Sequence, residues 1–428
     1  MTTSLRLGVA GLGTVGAAVV KIVEDKATLL AARSGREISV TSVSARSRSK
    51  DRGFDLSNYA WEDDPVALAK REDIDIYVEL IGGEDGPAKA SIEAAIDAGK
   101  HVVTANKALL AHHGTAMAQR AEGAHRQLRF EAAVAGGIPV IKSLTEGLAA
   151  NEITRILGVM NGSCNYILTR MEDAHLTYEE AFAEADGLGY LEADPNLDVG
   201  GIDAAHKLCL LSAIGFGARV DYPGVVTKGI GSVTIDDIIH ARSLGFAIKL
   251  VGVSERSGNG LSQVMEPCLV PETAPLAQLS GGTNMVVLEG DAVNQVVLRG
   301  PGAGATETAS AVLGDVMDIA RGIDIPVFGQ ASDTLINLPP VTPNRDSAFY
   351  LRLPVKDEPG VIAKISGALA DADISIDRMR QPQRESGPAT VLIVTHPTKR
   401  STLDAALKNL SGLDILVTPP FALPVLDI

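Results

Sequence analysis

The sequence is poor in cysteine and in aromatic side chains. The first shortage excludes disulfide-rich and zinc-binding classes of protein, and the second limits the side chains that can form the cores. Its three cysteines, Cys164, Cys209 and Cys268, are spread over 428 residues. They are too few and too far apart for a disulfide framework or a zinc-ligand spacing. We therefore expect a reducing, cytoplasmic compartment. Aromatic residues make up 4% of the chain, so its cores must be built mainly from alanine, valine, leucine and isoleucine.

Positive charge and long apolar runs are also scarce. Asp and Glu outnumber Lys and Arg by 53 to 38, for a net charge of −15. No broad basic face is left to neutralise phosphates, which argues against nucleic-acid binding. No apolar run approaches the length of a membrane span, so no membrane partner is expected. The first residues, MTTSLRLGVAGLG, enter a predicted strand at once and lack the apolar core of a signal peptide.

The length and the changing pattern of the sequence predict an α/β protein of three domains. Residues 1–140, joined by about 300–335, alternate short β-branched runs with helical patterns, as in a dinucleotide-binding domain with a parallel sheet. Residues 141–299 have the pattern of an α+β unit with a mainly antiparallel sheet. Residues 348–428 follow a Pro-rich linker at Asn337–Ser347 and show the split βαβ order of a ferredoxin-like domain.

Individual elements of the first and last domains can be placed from the pattern. Strands are predicted at Leu5–Ala10, Ile38–Ser44, Ile74–Leu80, His101–Thr104, Leu128–Glu131, Phe349–Val355, Ile374–Met379, Thr390–His396 and Leu413–Thr418. Helices are predicted at Val15–Arg33, Pro87–Ala98, Ala108–Glu122, Val361–Asp371 and Ser401–Leu410.

A glycine-rich turn lies between the first predicted strand and the first predicted helix, the context that makes the pattern informative. Gly11 would make the tight turn, Gly13 would let the backbone approach a pyrophosphate, and Gly16 would permit close packing of helix on strand. The helix N-terminus, which includes Thr14 and Val15, would donate amides to the phosphates. The alternative is a glycine-rich turn in an α/β protein that binds no nucleotide.

The segment after the second strand bears on which dinucleotide is bound. An NAD site usually has a carboxylate there for the ribose hydroxyls, whereas this chain has SARSRSK from Ser44 to Lys50. A guanidinium at Arg46 suits a 2′-phosphate, which favours NADP and leaves NAD possible. A solvated basic loop is the alternative.

The most informative segment is GYLEADPNLDVGGIDAAHKL, which begins at Gly189. It gathers four carboxylates and one lysine: Glu192, Asp194, Asp198, Asp203 and Lys207. In a helix starting near Gly201, Asp203 and Lys207 lie one turn apart on one face. The cluster suits a pocket with carboxylates for a ligand ammonium and a lysine for proton transfer. An acidic helix start followed by a solvated ion pair is the alternative.

Two further segments follow predicted strands of the first sheet. Thr104-Ala105-Asn106-Lys107 lies at the carboxyl end of a strand, where open α/β sheets bind ligands. Lys107 could therefore face a nicotinamide or a substrate, although a plain surface lysine fits equally well. The segment FEAAVAGGIP at 130–139 has small residues and adjacent glycines whose carbonyls could hold a hard cation. A hinge between domains is the ordinary interpretation.

Together these segments resemble homoserine dehydrogenases that carry a C-terminal ACT domain. The resemblance covers nearly the whole chain and rests on GVAGLGTVG, TANKALL, FEAAVAGGIPVI, ILGVMNGSCNYIL and, most specifically, GYLEADPNLDVGGIDAAHKL. It implies a Rossmann-type NAD(P)-binding domain, an α+β catalytic and dimerisation domain, and a ferredoxin-like ACT regulatory domain. Because the nucleotide-binding strand comes first, the chain resembles the monofunctional form.

The resemblance also implies roles in catalysis. Lys207 stands where the family has its proton-donating lysine, and Lys107 where it has a second catalytic lysine near the nicotinamide. Asp203 and Glu192 stand where substrate is held, and Asp198 lies in the same acidic pocket.

Other positions match the family's binding sites. Gly189 and Gly304 match positions that approach the cofactor. Thr104 and Lys107 match cofactor-binding positions as well. A structural monovalent-cation site, usually sodium, is matched by Glu131 with backbone groups of Val134, Gly136 and Ile138. An amino-acid effector, with threonine expected, would bind the ACT domain at the turn Asp357–Gly360. A homodimer or homotetramer is implied.

The family's reaction is the reversible reduction of L-aspartate 4-semialdehyde to L-homoserine with NAD(P)H. It belongs to threonine, methionine and isoleucine biosynthesis. Three alternatives stay open. An aspartate-semialdehyde dehydrogenase would need a cysteine nucleophile, for which Cys164 is the candidate. Another ACT-bearing dehydrogenase, such as a 3-phosphoglycerate dehydrogenase, is the second. A non-catalytic protein that senses nucleotides and amino acids is the third.

Overall fold

The computed structural model describes residues 4–343, 345–382 and 388–428, so Asn344 of the predicted linker lies outside the described residues. Within these ranges the chain forms two six-stranded sheets and one four-stranded sheet. None of the described helices has both the length and the apolar character needed to cross a bilayer.

The first sheet is parallel throughout, with strand order β3-β2-β1-β4-β5-β6. Its elements are β1 Leu5–Ala10, α1 Thr14–Asp25, α2 Ala27–Ser34, β2 Ile38–Ser44, β3 Ala60–Glu62, α3 Pro65–Ala69, β4 Ile76–Glu79, α4 Pro87–Asp97, β5 His101–Thr104, α5 Lys107–Gly123 and β6 Leu128–Arg129. The order reverses between β1 and β4, and ligands bind at the carboxyl ends of strands beside such a switch point. This is the predicted Rossmann-type arrangement.

Three strands of this sheet, β1, β2 and β5, have the predicted bounds, and two predictions need correction. The predicted helix Val15–Arg33 is two helices, because the backbone of Lys26 (φ −117°, ψ 20°) departs from helical geometry. The predicted strand Leu128–Glu131 ends at Arg129, because Glu131–Ala133 forms a 3-10 turn.

The second region consists of a mainly antiparallel sheet, as predicted, with helices packed on it. Its elements are α6 Val140–Lys142, β7 Ile153–Val159, α7 Gly162–Ala174, α8 Tyr178–Gly187, α9 Asn196–Val199, α10 Ile202–Phe216, β8 Val226–Thr227, α11 Ile235–Ser243, β9 Phe246–Ser257, β10 Gly260–Pro271, β11 Thr283–Gly290 and β12 Asn294–Pro301. Helix α12, Ala305–Arg321, follows β12 and leaves this region. The strand order is β12-β11-β7-β9-β10-β8, with only the short β8 parallel to its neighbour.

Two helices connect the first two regions. Helix α10 is buried along almost its whole length and contacts α5 on one side and strands β7, β9 and β10 on the other. Helix α12 returns to the first sheet and packs on α1, in a core that includes Val9, Val316 and Ala309. The N-termini of α5 and α10 meet as a result, and both carry predicted site residues.

The third sheet has the order β14-β15-β13-β16 and is antiparallel, which is the ferredoxin-like order. Its elements are β13 Phe349–Val355, α13 Val361–Ala370, β14 Ile376–Arg380, β15 Ala389–Thr395, α14 Arg400–Ser411 and β16 Phe421–Pro424. The prediction of its last strand at Leu413–Thr418 is wrong. That segment makes only an isolated bridge, between Leu416 and Val355. Pro419 and Pro420, which follow it, have no amide hydrogen to continue a ladder.

Candidate active site

Two lysines from different helices share one carboxylate at the junction of the first two regions. On α10, Lys207 Nζ lies 2.7 Å from Asp203 Oδ2 and also donates to the Met160 carbonyl at 2.8 Å. From the start of α5, Lys107 Nζ lies 2.9 Å from Asp203 Oδ1. Each oxygen of the Asp203 carboxylate therefore faces one ammonium. The pair one turn apart on α10 is the one that the sequence spacing predicts.

Burial and neighbouring charges shift the pKa values of these groups in opposite directions. The side chains of Asp203 and Lys207 are 8% and 10% exposed, whereas that of Lys107 is 28% exposed. Burial would raise the pKa of Asp203, but the two ammonium groups outweigh it and hold that pKa well below its ordinary value. The charge of Asp203 raises the pKa of Lys107 despite partial burial. At neutral pH this carboxylate is ionised and Lys107 is positively charged.

The remaining predicted carboxylates flank this centre. Asp198 is 4% exposed, and its two oxygens accept from the Asn161 side-chain amide at 2.9 Å and from the Glu192 backbone amide at 2.9 Å. The Glu192 side chain is 54% exposed, with Oε1 3.9 Å from Lys107 Nζ. Glu192 therefore faces open space beside the lysines, whereas Asp198 is fully engaged within the protein.

Local sequence signals fix the geometry of both helix starts. Gly201 has φ +80° and precedes α10, so the chain turns sharply between α9 and α10 and brings Asp198 and Asp203 to the same side. A side chain at Gly201 would be strained at this φ. Asn106 caps α5 by accepting from the Leu109 amide at 3.1 Å, which makes Lys107 the first residue of that helix.

The predicted nucleotide fingerprint has the geometry that its residue types require. Gly11 has φ +95°, and a Cβ there would come within 2.3 Å of the Leu80 carbonyl oxygen. A Cβ at Gly16 would come within 1.9 Å of the Gly11 carbonyl oxygen, so α1 packs tightly against the turn. Gly13 faces open space and directly precedes Thr14, the first residue of α1. The helix N-terminus is thus free to receive phosphates.

The loop after β2 is held against this turn by an arginine that the sequence reasoning did not single out. Arg52 donates to the Leu12 carbonyl at 3.1 Å and to the Ser47 carbonyl at 2.6 Å. Arg46 is exposed, and in the described ranges it makes no ion pair or hydrogen bond. Its guanidinium is therefore available to a ligand at the edge of the fingerprint.

Thr104 and Lys107 are organised by a buried carboxylate at the end of β4. Glu79 is fully buried and accepts from the Ile81 and Gly82 amides at 2.7 and 3.0 Å and from the Thr104 hydroxyl at 2.5 Å. The Thr104 hydroxyl oxygen in turn accepts from the amide of Asn106, the cap of α5, at 3.0 Å. The Thr104 side chain thus points inward and supports the turn that leads to Lys107.

The other positions expected at the cofactor lie in two loops. Gly304 directly precedes α12, and Gly189 lies just beyond α8 in the exposed loop that leads to Glu192. Gly136 packs closely against Gly302, so the turn before α12 contacts the segment that follows the first sheet.

The predicted cation-binding segment lies between β6 and α6. The Glu131 oxygens accept from the Ile141 and Lys142 amides at 2.9 and 2.8 Å, and its own amide donates to Asp315 at 2.8 Å. Burial and the neighbouring Asp315 raise the pKa of Glu131 to about 8. Ala135 and Gly136 both have positive φ, so the backbone carrying the carbonyls of Val134, Gly136 and Ile138 is irregular. A buried carboxylate beside such a backbone fits a monovalent cation.

Cys164, the candidate nucleophile of the aspartate-semialdehyde dehydrogenase alternative, lacks the environment of a reactive thiol. It is fully buried in α7, and its Sγ lies 3.2 Å from the Asp198 carbonyl oxygen, to which it donates. Burial raises its pKa well above the ordinary value, and the nearby carboxylates add to the shift. The thiolate needed for nucleophilic attack is therefore disfavoured.

Sequence reasoning missed three groups at the site: Asn161, the Met160 carbonyl and Glu79. An asparagine directly before a helical pattern is an N-cap signal, and it could have drawn attention to Asn161. A glutamate that ends the apolar run DIYVE is a signal for Glu79. No sequence signal identifies a carbonyl such as that of Met160, because every residue has one.

Known proteins are similar to this chain in both sequence and fold. The chain matches the models for homoserine dehydrogenase over residues 139–317, for the homoserine dehydrogenase NAD binding domain over 11–131, and for the ACT domain over 349–414. It is 38% identical to the homoserine dehydrogenase of Neisseria gonorrhoeae, with 97% of each chain covered.

Solved structures agree with these matches. A homoserine dehydrogenase from Thiobacillus denitrificans superposes with a TM-score of 0.94 at 38% identity, covering 100% of this chain and 99% of that one. A hyperthermophilic archaeal homoserine dehydrogenase solved in complex with NADPH gives a TM-score of 0.64 at 26% identity, covering 78% of this chain and 99% of that one. The expected oxidoreductase activity and nicotinamide dependence are thus confirmed, and the chain belongs to the homoserine dehydrogenase family.

Proposed function

We propose that this chain interconverts L-homoserine and L-aspartate 4-semialdehyde with NADP(H), using Lys207 as the proton donor and Lys107 as the second catalytic residue. The observation that carries this assignment is the position of Asp203 between the two ammonium groups, at 2.7 Å from Lys207 and 2.9 Å from Lys107. A non-catalytic sensor would gain nothing from two lysines arranged around one buried carboxylate.

Lys207 is held by two acceptors, Asp203 and the Met160 carbonyl, which leave one ammonium hydrogen for a substrate oxygen. In the reducing direction this proton passes to the forming alkoxide and leaves Lys207 as a neutral amine; in the oxidising direction the neutral amine takes the hydroxyl proton and becomes the ammonium again. Hydride transfer to or from the substrate carbon is the chemistry that a bound nicotinamide would supply. The charge of Lys107 stabilises negative charge that develops on the substrate oxygen.

The acidic side of the pocket accounts for recognition of an amino acid. The Glu192 carboxylate is exposed toward the pocket and suits the substrate ammonium, while Asp203 holds the lysines that face the reacting oxygen. Asp198 supports Glu192 through its backbone amide. Negative charge for the substrate ammonium thus lies beside positive charge for the substrate oxygen.

NADP is the proposed cofactor, with NAD as a weaker alternative. Gly11, Gly13 and Gly16 shape the phosphate-binding turn, with Thr14 and Val15 at the helix start and Gly189 and Gly304 in loops toward the cofactor. The exposed Arg46 suits a 2′-phosphate, and the archaeal relative was solved with NADPH.

Sodium is the proposed structural ion, held by the Glu131 carboxylate and the carbonyls of Val134, Gly136 and Ile138. Its charge would offset the burial that raises the pKa of Glu131. We expect sodium chloride to raise the unfolding temperature more than choline chloride at equal ionic strength. The substitution Glu131→Gln should abolish this difference, and an equal response to both salts would refute the site.

The ACT domain is the proposed site of regulation. Threonine would bind where the Asp357–Gly360 turn meets the start of α13, and the matched ACT domain supports an amino-acid effector.

The active form would be a homodimer or homotetramer, which sedimentation equilibrium measures directly. The three cysteines are free and buried, which supports a reducing cytoplasm.

The experiment that tests the proposed function is an activity assay. The purified protein is incubated with L-homoserine and either NADP⁺ or NAD⁺, and the absorbance of the reduced cofactor is followed. We expect turnover with both and a higher kcat/KM with NADP⁺. Absence of turnover with either cofactor would refute the proposal.

A further inference from the structure

Asn161 is a buried side chain that touches both carboxylates behind the two lysines. It lies between β7 and α7 and is 4% exposed. Its side-chain nitrogen donates to Asp198 Oδ1 at 2.9 Å and to Asp203 Oδ2 at 3.1 Å. Its side-chain oxygen accepts from the Cys164 amide at 2.8 Å and so caps α7. One amide therefore joins a helix start to two acidic residues of the site.

We propose that Asn161 is a positioning residue for the homoserine dehydrogenase reaction, fixing Asp203 directly and Glu192 through Asp198. The second oxygen of Asp198 accepts from the Glu192 backbone amide at 2.9 Å, which extends the hydrogen-bonded chain from Asn161 to the exposed carboxylate. This inference rests on the roles proposed above for Asp203, Glu192 and the lysines.

The contacts around Asp203 show what the amide fixes. Oδ2 of Asp203 receives both Asn161 and Lys207, while Oδ1 faces Lys107. With Oδ2 tied to α7, the carboxylate cannot rotate without breaking a bond, so each lysine keeps its own oxygen. The neighbouring Met160 carbonyl also accepts from Lys207. The junction of β7 and α7 thus holds both partners of the catalytic ion pair.

A primary amide is the side chain that meets all three demands at this position. It offers two donors for two carboxylates and one acceptor for the helix cap, without a charge. A lysine or arginine would add a third cation and compete with Lys107 and Lys207 for Asp203. A serine would cap the helix but offers one donor, and an aspartate would cap it but offers none when ionised.

Two variants separate positioning from folding. Asn161→Ser and Asn161→Asp both keep an oxygen that caps α7, and both disrupt the donation to Asp198 and Asp203. Asn165→Asp is the matched control, because Asn165 is buried one turn further along α7 and bonds to the Gly281 carbonyl and to Lys249. It makes the same chemical change on the same helix away from the acidic pocket.

We expect both Asn161 variants to lose about 10- to 100-fold in kcat/KM for homoserine, the scale of losing charge-assisted hydrogen bonds. The KM for homoserine should rise, because Glu192 is misplaced, while the KM for NADP⁺ stays at the parental value. Asn161→Asp also adds a negative charge beside the lysines. The rise of homoserine oxidation with pH should therefore move about one pH unit higher, and Asn165→Asp should leave it in place.

Two results would overturn the positioning role. One is a parental kcat/KM in either Asn161 variant. The other is a loss of activity that follows the unfolded fraction, measured by thermal denaturation, with the pH profile of Asn161→Asp unmoved. A parent protein that does not oxidise homoserine would instead refute the proposed function. In that case calorimetric titration with homoserine decides: unchanged affinity in Asn161→Ser refutes the positioning role, and weakened affinity supports it.

Discussion

Lys107 and Asp203 form an ion pair between the nucleotide-binding and catalytic regions, with Nζ 2.9 Å from Oδ1. Each residue belongs to the first turn of its helix, α5 or α10, and the two helices pack side by side. In the proposed mechanism, the lysine that faces the nicotinamide is thus positioned by a carboxylate of the substrate pocket. On this proposal, one ion pair couples the positions of cofactor and substrate, so a change in the packing of α5 on α10 would displace the reacting atoms.

Lys207→Ala should lower turnover by about two to four orders of magnitude, the usual scale for loss of a positioned acid–base group. The affinity for NADP⁺ should change little, because the matched NAD-binding domain is built on the first sheet and Lys207 lies on α10. Steady-state kinetics and a cofactor titration measure the two effects separately.

The control for this substitution is Lys228→Ala. Lys228 is also ion-paired, with Nζ 2.7 Å from Glu266 Oε2, but it lies outside the acidic pocket. It should keep parental turnover. Near-normal turnover in Lys207→Ala would remove Lys207 from the mechanism.

Arg46→Asp should raise the KM for NADP⁺ by roughly 10- to 100-fold and change that for NAD⁺ much less. It removes a charge-assisted contact to the 2′-phosphate and adds repulsion. The control is Arg48→Asp, which makes the same charge change at a guanidinium that lies 5.8 Å from the centre of the Trp61 ring. If Arg46→Asp weakens both cofactors equally, the preference for NADP⁺ arises elsewhere.

Parts of the site formed by residues close together in the sequence could be predicted, whereas contacts between distant segments could not. The pair of Asp203 and Lys207 followed from helical spacing, and the glycine turn followed from its strand–helix context. The contact between Lys107 and Asp203 joins distant segments, and no spacing rule specifies it. The roles of Lys107 and Asp203 are implied by the family resemblance, whereas the distance between them is set by the packing of α5 on α10.

The errors in the predicted fold have the same origin. The bounds of β1 and β2 were correct because β-branched runs end at clear turn residues. The segment Leu413–Thr418 has the composition of a strand, yet the edge of the third sheet is taken by Phe421–Pro424. Which of two short segments pairs with β13 is decided by tertiary packing and by the intervening prolines, and a local pattern carries neither.

Stability at acidic pH should depend on His206, which packs against Tyr222 with ring centres 4.4 Å apart. Burial lowers the pKa of His206 to about 4; the nearby charges of His112, Lys107 and Lys207 add to this, and Asp203 opposes it. The folded protein therefore binds a proton here more weakly than the unfolded chain does. The stabilising contribution is present above about pH 6.5 and is lost as the pH falls toward 4.

Thermal unfolding of the parent protein and of His206→Phe between pH 7 and 4.5 tests this sign. The aromatic variant keeps the ring contact and cannot be protonated, so its unfolding temperature should fall less steeply with decreasing pH. Equal slopes for the two proteins would show that other groups control acid stability.

Threonine should inhibit the intact protein, and removal of the ACT domain from about Ser347 should leave an active core that threonine does not affect. Inhibition requires that threonine bind one conformational state better than another. The structure adds a cost to this deletion, because the Tyr350 hydroxyl donates to the buried Asp237 and the Leu426 amide donates to the Leu269 carbonyl, at 2.9 and 2.8 Å. The truncated core should therefore unfold at a lower temperature.

A full-length variant avoids that cost. Gly360 directly precedes α13 and has open space where a side chain would lie. Its φ of +91° strains most side chains, but aspartate tolerates the left-handed region better than most residues, so Gly360→Asp would place a carboxylate at the proposed threonine site. The variant should keep its uninhibited rate and lose inhibition by threonine, measured as homoserine oxidation against effector concentration. If the parent protein ignores millimolar threonine, the third sheet serves assembly, and truncation should then change the sedimentation equilibrium of the protein and leave its response to threonine as it was.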